Sequence, residues 1–119
     1  MVYEFSIKSN IMKIITNPIL PPKGFSYINL FGVLFTRRKG TEISEKTLRH
    51  ETIHTKQMKE LWYIPFYIIY VVEWLNKLIY YRSAHEAYRN IGFEREAYAN
   101  EGDSDYLENR KRFAWVEYV

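Results

Sequence analysis

The sequence predicts an α+β fold that is mainly α, with three to four packed helices and a small N-terminal antiparallel β-sheet or hairpin. Two observations favour this class. Residues 1–40 are rich in β-forming side chains and hold three of the four prolines, whereas the pattern changes to helix from Ser44 onward. With 119 residues, 47% of them hydrophobic, the chain is expected to form one domain, residues 1–119, around one core.

The N-terminal strands are predicted around the segment FSYINLFGVLF, residues 25–35, in which Gly32 marks a bulge or a turn. The preceding segment NPILPPKG contains three prolines, which exclude a helix there. The polar segment TRRKGTE predicts a turn at Gly40.

The first helix is predicted directly after Ser44, a good N-cap for EKTLRHETIHTKQMKELW. Glu45 suits the positive end of that helix, and Pro65 stops or kinks it. Further helical segments are predicted at about Phe66 to Tyr81, for one turn before Gly92, at 93–100 and at 104–119.

Composition narrows the classes of function. The net charge of +3 arises from 17 basic and 14 acidic residues spread along the chain, so we expect no nucleic-acid partner. The chain contains no cysteine, which excludes disulfides, thiolate metal sites and cysteine nucleophiles. A metal would therefore need histidine and carboxylate ligands.

The sequence also bears on localisation. The N-terminal residues lack the apolar core and cleavage site of a signal peptide, which predicts a cytoplasmic protein. The longest apolar run, Leu61 to Val72, is too short to span a bilayer before Glu73 interrupts it. We therefore expect the protein to contact a membrane at its surface at most, without spanning it.

The segment LRHETIHTKQ holds two of the three histidines in an H-E-x-x-H motif. On a helix, His50 and His54 project from one face one turn apart, as two ligands of one Zn²⁺ must. Glu51 is rotated by about 100° from His50, which suits a general base that takes a proton from the attacking water. Gln57, one turn beyond His54 on the same face, is a candidate for orienting a ligand.

A catalytic zinc site needs a third protein ligand, and the sequence offers four candidates. Glu73 would face His54 if Pro65 marks a hairpin between antiparallel helices. Glu94 shares a helical face with the small Ala97, which favours close packing on the histidine helix, whereas Glu96 points about 200° away from Glu94. His85 lies in a polar segment where an exposed position is expected.

HETIH followed by FEREAY resembles the gluzincin zinc metallopeptidases whose late helix reads E-x-x-A-D, as in the prenyl-protein peptidase and antirepressor-sensor families, and minimal single-domain gluzincins. The resemblance implies that Glu94 is the third zinc ligand, and Tyr98 stands where those families have Asp. From NPILPPKGF to FEREAYANE, the chain is also similar to a group of small bacterial proteins with the same two segments.

The resemblance therefore implies a zinc metallopeptidase that hydrolyses peptide or protein substrates, with His50, His54 and Glu94 on the metal and Glu51 as base. By analogy, YINLFGVLF would hold an extended peptide, and His85, Tyr88, Tyr98 or an arginine would stabilise the oxyanion. The alternative is a non-catalytic zinc-binding domain that contacts a protein or a membrane surface and keeps a vestigial peptidase site.

Overall fold

The structure, a computed structural model, describes residues 2–7, 10–37 and 43–119, and it confirms a mainly helical α+β fold. The turn predicted at Gly40 lies outside these residues. The strands are β1 Val2–Ile7, β2 Asn10–Thr16, β3 Tyr27–Leu30 and β4 Val33–Thr36. The helices are α1 Glu45–Glu60, α2 Ile64–Tyr81, α3 Ala84–Arg89, α4 Gly92–Asn100 and α5 Tyr106–Asn109, followed by a C-terminal 3-10 helix, Ala114–Tyr118.

The sheet has the order β1-β2-β4-β3, with antiparallel outer pairs and a parallel central pair. It is thus mixed, whereas the sequence predicted an antiparallel arrangement. The parallel pair arises because the chain reverses twice between β2 and β4, and β4 rather than β3 then pairs with β2. Strand propensity carries no information on which strands become neighbours, so this order was not predictable locally.

The turn between β3 and β4 lies at Phe31 and Gly32, which confirms the predicted turn at Gly32. Both residues have positive φ, 55° and 88°, as a two-residue type I′ hairpin turn requires. A Cβ at Gly32 would also approach the Thr55 methyl group of α1 to 3.3 Å. The turn therefore packs against the helix that carries the histidines.

Helix α1 begins and ends where the local signals predicted. The Ser44 hydroxyl accepts a hydrogen bond from the Thr47 amide at 3.1 Å, which confirms the N-cap. The helix ends at Glu60, and Pro65 occupies the first turn of α2. A proline is tolerated there because the first amides of a helix have no partner within it.

The single C-terminal helix predicted at 104–119 is wrong, because the segment folds as α5 and a separate 3-10 helix. Between them the amide of Phe113, with φ of 58°, donates to the Glu60 carboxylate at 2.7 Å. Arg110, in an extended conformation, binds the same carboxylate. These long-range contacts replace the local hydrogen bonds that would continue a helix.

Two buried clusters make up the core. One lies between the sheet, α1 and α4, and it includes Met12, Ile14, Leu34, Ile43, Leu48, Ile53, Ala97 and Leu107. The other joins α1, α2 and α4 through Met58, Phe66, Ile91 and Phe93. Helix α4 contacts α1 directly, and Ala97, which is fully buried, lies in this contact. No helix in the described ranges has the length and apolar character needed to cross a membrane.

Candidate metal centre

Helices α1 and α4 bring three candidate ligands into contact. The Nε2 atoms of His50 and His54 lie 3.1 Å apart, and each lies within 3.1 Å of Oε1 of Glu94, at 3.1 and 3.0 Å. All three residues are buried, with 4 to 6% of their surface exposed. The structure therefore brings together the three residues proposed as ligands, although Glu94 is 40 residues or more from the two histidines in the sequence.

Gln57 determines which nitrogen of His54 carries a proton. Its amide nitrogen donates to the Phe93 carbonyl and to the Glu96 carboxylate, both at 3.0 Å. Its oxygen must therefore face Nδ1 of His54, 2.8 Å away, and it can only accept. His54 consequently donates through Nδ1 and turns Nε2 toward Glu94, so Gln57 orients the ring.

Glu101 has the same effect on His50. Its Oε2 lies 2.8 Å from Nδ1 of His50, and an ionised carboxylate only accepts hydrogen bonds. The Arg49 guanidinium holds the Glu101 backbone carbonyl at 2.7 Å, and Lys46 lies 3.5 Å from the Glu101 side chain. A carboxylate behind a histidine is the usual way to orient a metal ligand and to raise its basicity.

The two oriented rings direct their Nε2 atoms at one point. With both Nδ1 atoms donating, Nε2 of each ring faces Nε2 of the other ring and Oε1 of Glu94. These three atoms are stable at such distances when a positive charge lies among them, either a proton on Nε2 of His54, which then donates to Glu94, or a metal ion. In a tetrahedral site with bonds of about 2.0–2.1 Å, ligand atoms lie roughly 3.3 Å apart, close to the spacing here. The donor set therefore fits a small divalent metal such as Zn²⁺.

Tyr70 orients the third candidate ligand. Its hydroxyl donates to Oε2 of Glu94 at 2.8 Å, which leaves Oε1 for the histidines. Burial, together with the charge of Glu94, raises the pKa of Tyr70, so the hydroxyl stays protonated. Tyr70 was not recognisable as a site residue from the sequence, because only the packing of α2 brings it to Glu94.

Glu101 was also missed, but the sequence contains a signal for it. It lies seven residues after Glu94, two helical turns along the same face. Tyr98, at the position where the resembled families have Asp, instead packs edge-on against His50 with ring centroids 4.5 Å apart. The carboxylate that contacts Nδ1 of His50 is that of Glu101, three residues further on.

The electrostatics of the cluster favour a positive charge among its three residues, and a proton on His54 supplies that charge when no metal is bound. Burial lowers the pKa of His54, but the charge and hydrogen bond of Glu94, with Glu51 and Gln57, raise it to about 9. Burial raises the pKa of Glu94, but both histidines lower it well below its usual value. Burial raises the pKa of Glu51, and the charges of the two histidines partly offset this rise.

The remaining candidate ligands lie elsewhere. Glu73 accepts from the Gly92 amide at 2.6 Å and so caps α4. Glu96 is fully buried, and its Oε2 lies 2.6 Å from Nε of Arg110. His85 is exposed, as expected. Among the described residues, the aromatic ring beside it is that of Tyr88, with the two ring centroids 6.2 Å apart.

Of the candidate oxyanion donors, Tyr88 and Tyr98 lie beside the cluster. Their hydroxyl oxygens are 2.7 Å apart. Burial and the charge of Glu94 raise the pKa of Tyr88, which keeps its hydroxyl protonated. The Arg89 guanidinium lies 3.7 Å above the Tyr98 ring.

Comparison of the chain with protein-family models, with curated proteins and with solved structures gave no match. The geometry of the cluster therefore carries the functional interpretation.

Proposed function

We propose that the protein is a zinc-dependent metallopeptidase with His50, His54 and Glu94 as ligands. The observation that supports the proposal is the convergence of three potential ligand atoms within 3.1 Å of one another, two of them on rings whose other nitrogen already donates. A proton on His54 or a divalent cation would stabilise this arrangement, and zinc would bind by displacing that proton.

When bound, zinc would act as a Lewis acid that activates water and polarises a carbonyl group. Glu51 follows His50 on α1, and its carboxylate interacts with the charges of both histidines and of Glu94. In the proposed reaction Glu51 accepts a proton from the attacking water and returns it to the leaving amine. The paired hydroxyls of Tyr88 and Tyr98 would donate to the developing oxyanion.

The position of β3 supports a peptide substrate. β3 forms one edge of the sheet, and the Asn29 amide joins it to α1 by donating to the Glu51 carbonyl at 3.0 Å and to Thr55 Oγ1 at 3.1 Å. An edge strand can pair with an extended peptide through backbone hydrogen bonds. A peptide bound there would run beside the proposed base.

A structural zinc site is the second candidate. It is favoured by burial, since only 4 to 6% of the surface of each of the three ligand residues is exposed. Catalysis needs an open coordination position, whereas a structural metal is enclosed. In this case zinc would stabilise the contact between α1 and α4 without hydrolysis.

Metal content tests the ligand set. Protein purified without chelator should contain about one zinc per chain, and His50→Ala should lose it. His85→Ala is the matched control, because His85 is exposed and outside the cluster, and it should retain zinc. Likewise Glu94→Gln should lose zinc while Glu73→Gln retains it. Full retention of zinc in His50→Ala or Glu94→Gln would contradict the assignment.

Hydrolysis separates the two candidates. Wild-type protein loaded with zinc should cleave fluorescent casein, and Glu51→Gln should bind zinc with unchanged stoichiometry but lose cleavage. Wild-type protein that binds zinc without cleaving peptides of any length would favour the structural site. Equal cleavage by wild type and Glu51→Gln would remove Glu51 as the base.

A further inference from the structure

Helix α2 exposes a continuous apolar surface to solvent. Six of its aliphatic side chains are between 47 and 77% exposed. These residues, called the apolar stripe, are Ile64, Ile68, Val71, Val72, Leu75 and Ile79. At 100° per residue they lie within an arc of about 100°, and at 1.5 Å rise they extend over roughly 22 Å. Scattered exposed aliphatic side chains are ordinary, but a contiguous stripe indicates an interaction surface.

The opposite face of α2 is attached to the protein. Phe66 is buried against Phe93, with stacked rings 4.5 Å apart. Glu73 turns inward to the Gly92 amide, and Trp74 Nε1 donates to the Ala84 carbonyl at 3.3 Å. The helix therefore lies flat on the domain and presents one face outward.

Charge and aromatic residues around the stripe fit a lipid surface. All of α2 is described, and none of its exposed residues is charged. Exposed cations lie just before and after the helix, at Lys59 and Arg82. Trp62 at one end and Tyr80 at the other are 84 and 78% exposed. Tryptophan and tyrosine prefer the boundary between headgroups and acyl chains, and basic residues are attracted to anionic lipids.

The width of the stripe argues against a second copy of the chain as its occupant. The seam of a two-helix coiled coil is narrow, whereas an arc of about 100° is the width that a helix presents to an extended apolar surface. A bilayer covers the whole arc.

We propose that α2 docks this domain on a membrane surface, lying in the interfacial plane with the apolar stripe among the lipid acyl chains. The inference rests on α2 alone and goes beyond the proposed function. Docking requires no metal, because neither the stripe nor its flanking residues belong to the histidine cluster.

Vesicle co-sedimentation tests the proposal with the full chain. Wild-type protein should bind vesicles of phosphatidylcholine and phosphatidylglycerol, and Ile68→Gln/Leu75→Gln should bind at least about tenfold more weakly, because two inserted side chains become polar. The matched control is Ile19→Gln/Phe25→Gln, which changes two exposed apolar residues outside α2 and should bind like wild type. Far-ultraviolet circular dichroism should show that both double variants are folded.

A second measurement locates the helix. Brominated acyl chains should quench tryptophan fluorescence of the bound protein, and Trp62→Phe should remove most of the quenching, since Trp62 is the most exposed of the three tryptophans. Chelator should leave binding unchanged. Equal binding by wild type and Ile68→Gln/Leu75→Gln would overturn the proposal. The proposal would also be overturned if the wild type were a dimer, if Ile68→Gln/Leu75→Gln were a monomer, and if neither protein bound vesicles.

Discussion

Two buried charged clusters meet at α4, and they solve the same physical problem in different ways. The histidine cluster consists of His50, His54 and Glu94. The arginine cluster consists of Arg110, Glu60, Glu96 and Tyr106. Their central carboxylates, Glu94 and Glu96, are two residues apart on one helix. Each takes a carboxylate out of water, which is costly unless the charge is compensated.

The arginine cluster contains its own cation. Both oxygens of Glu96 accept from Arg110, and one of them also accepts from the Tyr106 hydroxyl at 2.6 Å. The same guanidinium binds Glu60 with two further hydrogen bonds. Burial raises the pKa of Glu96, but its hydrogen bonds, from Arg110 first, lower it overall. This cluster is complete and holds the C-terminal segment against α1.

In the histidine cluster, the atoms that face away from the centre already have hydrogen-bond partners. Glu101, Gln57 and Tyr70 fix the outer atoms, and the atoms that remain, facing inward, are potential metal ligands. Gln57 belongs to both clusters, since it accepts from His54 and donates to Glu96. A buried carboxylate with an internal guanidinium therefore stabilises the fold, whereas one that faces two oriented histidines is a candidate metal-binding site.

The largest effect is expected from Arg110→Met, which removes the internal cation and leaves two buried carboxylates unpaired. The free energy of unfolding should fall by about 3–5 kcal/mol. Urea denaturation measures it, with chelator present so that metal does not contribute. Arg112→Met, at an exposed position, is the control and should stay within about 0.5 kcal/mol of wild type. A decrease of less than about 1 kcal/mol in the free energy of unfolding of Arg110→Met would show that the arginine cluster is not required for stability.

Zinc should compensate the buried carboxylate of the histidine cluster, as the Arg110 guanidinium does in the arginine cluster. At a free zinc concentration one hundred times Kd, the free energy of unfolding should rise by about 2.7 kcal/mol. Urea denaturation with and without zinc measures the increment, and chelator should reverse it. His54→Ala should show no increment, while Arg112→Met should show the full one. An equal increment in His54→Ala would mean that zinc binds elsewhere.

Glu101→Gln tests the orientation of His50. Replacing the carboxylate with a neutral amide weakens the acceptor of Nδ1, so zinc affinity should fall by about 10- to 100-fold. Competition with a chromophoric chelator measures it. Lys46→Gln removes the Lys46 to Glu101 ion pair, 3.5 Å long, but keeps the carboxylate behind His50. It should bind zinc like wild type, and an equal loss in both variants would assign the effect to general electrostatics.

The smallest effect is expected from Tyr70→Phe, which removes one neutral donor from Glu94. Zinc affinity should fall by about three- to tenfold, the value of a single hydrogen bond. Tyr67→Phe is the matched control, because its hydroxyl donates to the Asn29 carbonyl at 3.2 Å, away from the cluster. The chelator competition assay applies here too, and unchanged affinity in Tyr70→Phe would remove Tyr70 from the site.

Local signals in the sequence were sufficient where the relevant contacts are local. The cap at Ser44, the turn at Gly32 and the change of helix at Pro65 were predicted because each depends on residues a few positions apart. Periodicity placed His50 and His54 on one face for the same reason. The choice of Glu94 came instead from resemblance to a motif, and metal binding stays a prediction.

Only the tertiary structure decided the contacts between distant segments. The order of the strands, the break in the C-terminal helix, and the approach of Tyr70 and Glu101 to the ligands all depend on how elements pack. The sequence by itself determined which residues could bear charge and which helix faces they occupy. Helix α4 lies between α1 and the C-terminal segment, so Glu94 meets two histidines and Glu96 meets Arg110. The sequence could not show this, because the partner of a buried charge depends on which segments pack against it.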